Sequence, residues 1–265
     1  MQKNIATTDV LQNQDHRSTV VIVLQFQYMQ IWVIKFEYIS LLKRKEAVLL
    51  KSILCKKTGP LLVFLGLLNA GIALLCWPLI FFIDQYFSVQ VKDSLPLDIK
   101  NTMHVLTDIG LGGPYFILSF LGLATGLVLK MRKNPKAREY FHRSSFLLLS
   151  LVVSGFLVHV IKFLVGRQRP YQSETLDPQL FDPMNMHWHW QSFPSGHSQV
   201  IATAATVFTI LMPRYKWLWI FFCLLVGFSR ISEQAHYLSD VIMGWSIGFT
   251  GTLLAFQWSK KWDKS

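Results

Sequence analysis

Residues 61–83 read LLVFLGLLNAGIALLCWPLIFFI, 23 consecutive positions without a charge, with Lys56 and Lys57 shortly before them and Asp84 directly after. A helix rises about 1.5 Å per residue, so a stretch of this length matches a hydrocarbon core of about 30 Å. The reading predicts a transmembrane helix and disfavours a soluble globular domain. Five further apolar segments follow, at residues 113–129, 146–165, 198–212, 217–228 and 241–258. Together they predict six spans.

Loop charge orients those spans. With the start of the first span in the cytoplasm, the inside segments carry 17 Lys and Arg residues, among them Lys43, Arg44, Lys45, Lys130, Arg132, Lys133, Arg214 and Lys261. The outside segments carry five: Lys92, Lys100, Arg167, Arg169 and Arg230. By the positive-inside rule both ends of the six-span core face the cytoplasm. The net charge of +11 is therefore segregated by side and not gathered into one stripe, which argues against nucleic acid as a partner. The expected fold is all-α: an integral membrane six-helix bundle over residues 61–258, with an N-terminal extension (1–60) and a short basic cytoplasmic tail (259–265).

The extension is the least legible part. Residues 20–34 are apolar but broken by Gln25, Gln27 and Gln30, a pattern that fits an interfacial helix, an added short span, or sequence upstream of a later start at Met29. The polar first nineteen residues do not have the form of a cleavable signal peptide. Cys55, Cys76 and Cys223 are an odd number lying in or beside apolar segments, and read as packing residues. His187 and His189 alternate with Trp188 and Trp190 and read as part of an aromatic belt, not as metal ligands. No metal or cofactor is expected. Asn69 is expected to bond between helices, and His159 to pack or support from the face of Lys162.

Three polar clusters interrupt the apolar pattern where segments meet water. Lys162 lies near the end of the third span, and Arg169-Pro170 follows seven residues later. An ammonium offers a point charge and a guanidinium a fork for two phosphate oxygens. Pro194-Ser195-Gly196-His197 opens the fourth span, where unpaired backbone N–H groups and the positive end of the helix dipole face outward. Ser195 adds a hydroxyl and His197 a transferable proton. Ser229-Arg230 closes the fifth span, and His236 and Asp240 stand four residues apart entering the sixth. That spacing on a helix puts both on one face, with the carboxylate able to hold one ring nitrogen while the other keeps its lone pair.

Taken together, Lys-x6-Arg-Pro, Pro-Ser-Gly-His and Ser-Arg-x5-His-x3-Asp, in this order and on the outer face, resemble the type 2 phosphatidic acid phosphatase (PAP2) family, whose superfamily includes the vanadium-dependent haloperoxidases. The resemblance covers roughly residues 61–258. It implies that Lys162, Arg169 and Arg230, with Ser195 and Gly196, bind phosphoryl oxygens. It further implies His236 as nucleophile, Asp240 as its orienting carboxylate and His197 as the acid for the leaving oxygen. The substrate implied is a lipid phosphate monoester or diphosphate: phosphatidylglycerophosphate, phosphatidic acid, undecaprenyl diphosphate or a lipid A phosphate. The short loops and the Ser-Phe-Pro-Ser-Gly-His form suggest a bacterial cytoplasmic membrane, and the loop charges put the site on its outer face.

Between Arg230 and His236 the family's usual small residues, often with glycine, are partly replaced by Glu233 and Gln234. A carboxylate at the mouth would repel highly anionic substrates or bind a substrate hydroxyl. Two other functions fit parts of the pattern. A phosphotransferase would use the same histidine with a lipid or sugar acceptor, and a channel or carrier would spread its polar residues through the membrane depth instead of gathering them at one face.

Overall fold

The structure, a computed structural model, describes residues 58–262. The extension, with its stretch at residues 20–34, lies outside the described residues, as do Cys55 and residues 263–265. Eight α-helices follow one another: α1 (Thr58–Phe82), α2 (Asp84–Ser94), α3 (Leu97–Leu106), α4 (Gly112–Met131), α5 (Ala137–Val165), α6 (Gly196–Leu211), α7 (Lys216–Ser232) and α8 (Leu238–Trp262). Among the described residues the only extended pairing is an isolated bridge between Arg167 and Phe181.

Among the described residues, five segments are long and apolar enough to cross a membrane: Gly59–Phe82, Leu97–Met131, Ala137–Val165, Pro213–Ser232 and Leu238–Ser259. They carry large apolar side chains such as Leu67, Leu74, Phe120, Phe156 and Trp217 on their outer faces, as lipid-facing helices do. The sixth helix, α6, has 16 residues, about 24 Å at 1.5 Å per residue and short of a hydrocarbon core of roughly 30 Å. Protein surrounds it. Ile201, Ala202, Thr203, Ala204, Ala205 and Val207 are all buried, between α5, α7 and α8.

Helix edges differ from the sequence reading in instructive ways. The third span, expected from residue 146, begins at Ala137, because an ion pair between Glu139 and Arg143 one turn apart carries the helix through a charged segment. The loop at residues 84–112 contains α2, α3 and a 3-10 turn at Thr107–Gly110. The segment expected as the sixth span, α8, begins at Leu238, so His236 precedes it and does not share a helix face with Asp240.

Helix α8 is the hub, packing on α5, α6 and α1. Small residues let it approach closely. A Cβ built on Gly248 would lie 2.5 Å from the carbonyl oxygen of Gln199, and one on Gly251 would lie 2.5 Å from Cβ of Ser154. Polar side chains then bond across the apolar interfaces. Asn69 of α1 donates to Oγ1 of Thr250 at 2.6 Å and accepts from Oγ of Ser246 at 2.8 Å, which is the interhelical role expected of it. Gln199 of α6 donates to Oγ of Ser154 at 2.6 Å and to Oγ1 of Thr203 at 3.1 Å. Cys76 packs with Val158, Phe193, Met243 and Ile247.

Candidate active site

The C-terminal ends of α5 and α7 and the N-terminal ends of α6 and α8 meet at one end of the bundle. Lys162 sits in the last turn of α5, buried, and its ammonium donates to the carbonyl of Gln191 at 2.5 Å. The helix stops at Gly166, whose φ of 58° is left-handed and whose N–H bonds the carbonyl of Lys162. A Cβ there would lie 1.8 Å from the carbonyl oxygen of Asp182, so the turn admits glycine alone. Beyond it the loop bonds back on itself through Arg169 N–H to the carbonyl of His189 and Ser192 N–H to that of Arg167, both at 2.9 Å. Arg169 donates from Nε to the carbonyl of Trp188 at 3.1 Å, with its guanidinium 5.7 Å from the Trp188 ring centre.

Ser195 is the N-cap of α6. Its Oγ accepts from Ser198 N–H at 3.4 Å and from Ser198 Oγ at 2.9 Å. The N–H groups of Gly196 and His197 precede the first intrahelical bond, the arrangement that receives anions at helix starts. A Cβ on Gly196 would lie 4.0 Å from Cε of Lys162, which puts the ammonium stem beside the helix start. His197 packs against the 3-10 turn, since a Cβ on Gly110 would come within 2.9 Å of its Cβ.

Arg230 ends α7 and is buried. Its Nη1 donates to Oγ1 of Thr107 at 2.7 Å and to Glu233, and its carbonyl accepts the N–H groups of Ala235 at 3.1 Å and His236 at 3.2 Å. Lys162, Arg169 and Arg230 all act through space on both His236 and His197, so the structure brings the five groups into one electrostatic neighbourhood. Burial pushes the His236 imidazole well below the ordinary histidine range; a bond to Asp240 opposes the shift, and the three cations reinforce it.

His236 is buried, although its cluster lies where an apolar segment meets water. The residue is only 2% exposed, because the turn before α8 folds it under the loop at residues 166–195. Its Nδ1 lies 3.6 Å from Oδ2 of Asp240 and 3.5 Å from Oγ of Ser192. Asp240 also accepts from Ser192 Oγ at 2.5 Å and from the N–H of Tyr237 at 2.9 Å. Ser192, absent from the sequence reading, therefore bridges the pair from the loop.

A larger omission is Arg167, expected to be a loop cation and in fact fully buried. Its Nη1 donates to Oδ1 of Asp240 at 2.5 Å and to Oγ of Ser239 at 2.8 Å. Its Nη2 donates to Oδ2 of Asp84 at 2.8 Å, and its Nε to the carbonyl of Pro178 at 2.9 Å. The face of the guanidinium lies 4.2 Å from the Tyr237 ring centre. Asp84 completes the cluster by accepting Ser239 N–H at 3.0 Å, an acceptor at the positive start of α8. The available signal was positional: Arg167 stands two residues before Arg169, and Asp84 is the first charge after the uninterrupted apolar run.

His159 is exposed, not packed, and lines a cavity of about 440 Å³ with Gly196 and His197 at one end, Gly155 and Leu151 along α5, and Phe116 of α4 opposite. The rings of His187 and His189 stack at 4.6 Å. Among the described residues no group of three or more His, Cys, Asp or Glu is arranged to hold a metal.

The fold and the site define an integral membrane helical bundle that gathers cations and histidines at one end. The sequence pattern of the PAP2 superfamily matches residues 144–264. A lipid A 1-phosphatase of Rhizobium johnstonii is 32% identical over 164 residues, covering 60% of this chain and 67% of the relative. The chain belongs to the PAP2 superfamily. A lipid A 1-phosphatase of Rhizobium etli is 33% identical over 139 residues, 52% of this chain and 60% of that one. An undecaprenyl-diphosphatase of Sulfolobus acidocaldarius is 31% identical over 118 residues, 42% of this chain and 52% of that one. The alignments thus span about half to two thirds of these relatives. Among solved structures, Aquifex aeolicus LpxE superposes with a TM-score of 0.49 at 20% identity, covering 65% of this chain and 94% of that one. A Bacillus subtilis PAP2-type phosphatidylglycerolphosphate phosphatase superposes with a TM-score of 0.49 at 21% identity, covering 74% of this chain and 96% of that one.

Proposed function

We propose that the protein hydrolyses a lipid phosphate monoester or diphosphate through a covalent phosphohistidine on His236. The observation that carries this reading is a buried imidazole, His236, in the combined field of Lys162, Arg169 and Arg230. The start of α6 adds the N–H groups of Gly196 and His197 and the hydroxyl of Ser195 for the same phosphoryl oxygens. Phosphoryl transfer needs positioning and neutralised oxygen charge more than covalent assistance, and these groups supply both.

In the first step the lone pair on Nε2 of His236 attacks phosphorus and the bond from phosphorus to the leaving oxygen breaks; His197, protonated once the phosphoryl charge of the substrate offsets the three cations, hands that oxygen a proton. Asp240, 3.6 Å from Nδ1, favours the tautomer that carries its proton on Nδ1; such contacts tighten when substrate binds. In the second step water attacks phosphorus, the P–N bond breaks with its electron pair returning to Nε2, and His197 accepts the proton of the water.

The cavity of about 440 Å³ beside His197 supports a lipid substrate, because hydrocarbon attached to a phosphate at the start of α6 would descend along α5 toward Leu151. Two relatives above 30% identity are named for lipid A 1-phosphate and one for undecaprenyl diphosphate. These head a panel completed by phosphatidylglycerophosphate and phosphatidic acid. The loop-charge count supports a pocket on the side of a bacterial inner membrane away from the cytoplasm.

Phosphate release by the purified protein from this panel, run in water labelled with heavy oxygen, tests the reading. Label is expected in the released phosphate, and an acid-labile phosphoryl group should be trapped on His236. Full release by His236→Gln would sink the mechanism, and transfer to a lipid or sugar acceptor in preference to water would replace the hydrolase with a transferase.

A further inference from the structure

Glu233 is a carboxylate beside Arg230, one of the cations proposed to bind phosphate, and both its oxygens are engaged. One pairs with Nη1 of Arg230, the other with Nδ1 of His104 at 2.6 Å. The same Nη1 donates to Thr107 at 2.7 Å, so that corner of the guanidinium is committed to protein. Nε of Arg230, by contrast, is buried and has no hydrogen-bond partner. A buried N–H left unpaired is costly. Arg230 is divided between an edge held by the protein and an edge that a phosphoryl oxygen can complete.

The backbone explains the position of the carboxylate. Glu233 caps α7, its N–H bonded to the carbonyl of Ser229 at 3.1 Å, one turn beyond Arg230. Gln234 then turns the chain toward His236 with a left-handed φ of 55°, where its side chain donates to the carbonyls of Ile231 at 3.0 Å and Ser88 at 3.2 Å. His104 arrives on α3, which packs on α7. Its side chain is 72% exposed and that of Glu233 15%, so the carboxylate has a second partner at the open side of the site.

Charge balance gives this arrangement a consequence. Asp240 shares Arg167 with Asp84, whereas Glu233 is in direct contact with Arg230, one of the cations proposed to bind phosphate, while Asp108 acts on Arg230 through space. Lys162, Arg169, Arg230 and a helix start would otherwise retain a phosphate dianion, and product release limits many enzymes. We propose that Glu233 is a resident counter-ion of the pocket: it holds one corner of Arg230 and competes with inorganic phosphate for that cation, so that product leaves. The inference rests on the phosphatase reading above. No covalent bond is made or broken in it.

The test titrates inorganic phosphate calorimetrically into the full-length protein in detergent, as wild type, Glu233→Gln and Glu233→Ala. Removing one like charge a few ångströms from the ligand should tighten Kd about tenfold in both variants, and product inhibition should tighten to match. Unchanged affinity in a folded variant overturns the proposal. Weaker affinity does so too, because it reduces Glu233 to a prop for Arg230. Binding is read without turnover, so a wild type that binds phosphate but releases none from any lipid defeats the phosphatase reading and leaves the affinity comparison standing.

Discussion

The guanidinium of Arg167 donates to the carboxylate of Asp240 at 2.5 Å, and neither side chain has exposed surface. Arg167 reaches Asp84 from its other terminal nitrogen, so one residue from the loop after α5 ties α2 to the start of α8. Breaking such a buried pair from one side leaves carboxylates without compensation, at a cost of about 3–5 kcal/mol. Arg167→Met should therefore lower the thermal unfolding midpoint in detergent by several degrees or abolish expression. Arg167→Lys should recover only part of the loss, because one ammonium cannot span Asp84, Asp240 and the carbonyl of Pro178. A midpoint unchanged in both variants would mean that the cluster contributes nothing net.

His236 lies outside the spanning helices, and burial, with the nearby cations, holds its imidazole well below the ordinary range. Below about pH 6.5 the unfolded chain binds a proton at this position that the folded chain does not. Its contribution to stability is thus complete above that pH and is lost as the pH falls toward the folded value. His236→Gln should abolish turnover. It should also shrink the drop in unfolding temperature between about pH 7.5 and pH 5.5 relative to wild type. An equal drop in both proteins would show that His236 is not held neutral.

Gly244 faces the backbone of the N-cap that opens α6: a Cβ would lie 2.5 Å from the carbonyl oxygen of Ser195. Gly244→Ala must displace Ser195, and overpacking of this kind costs about 1–3 kcal/mol. Gly251→Ala meets Ser154 at the same 2.5 Å, two turns further along α8. Comparable destabilisation is expected from both, but only Gly244→Ala should lower kcat/KM per folded molecule. Equal activity loss would mean that the shift propagates along the whole helix.

Asn69 joins α1 to α8 through Thr250 and Ser246. Asn69→Leu removes both bonds and should cost about 0.6–2 kcal/mol, read as a lower unfolding midpoint with activity retained. A large activity loss would give α1 a part in the site.

Six apolar segments and the three motif clusters were legible from the chain because each is local: a run of uncharged residues, a proline after a charge, a serine-glycine pair at a helix start. The helix edges were less legible. The Glu139–Arg143 pair carries α5 nine residues past the apolar boundary at 146, since hydropathy does not register helical ion pairs. The shared helix face expected of His236 and Asp240 failed for a related reason. A spacing of four implies one face only within a helix, and Tyr237 and Leu238 lie at its start.

Sequence alone determined that this chain is an all-helical membrane protein and which polar residues interrupt its spans, because the cost of exposing charge and backbone to hydrocarbon is imposed segment by segment. It determined membership of a family through motifs whose order survives in one dimension. Tertiary structure alone decided that Arg167 is a fully buried cation and not a loop charge, that Ser192 stands between His236 and Asp240, and that Glu233 joins Arg230 to His104. Apart from Glu233 and Arg230 on neighbouring turns, these partners are 44 to 129 residues apart, and a charge's worth depends on what faces it when water is excluded, which no single segment records.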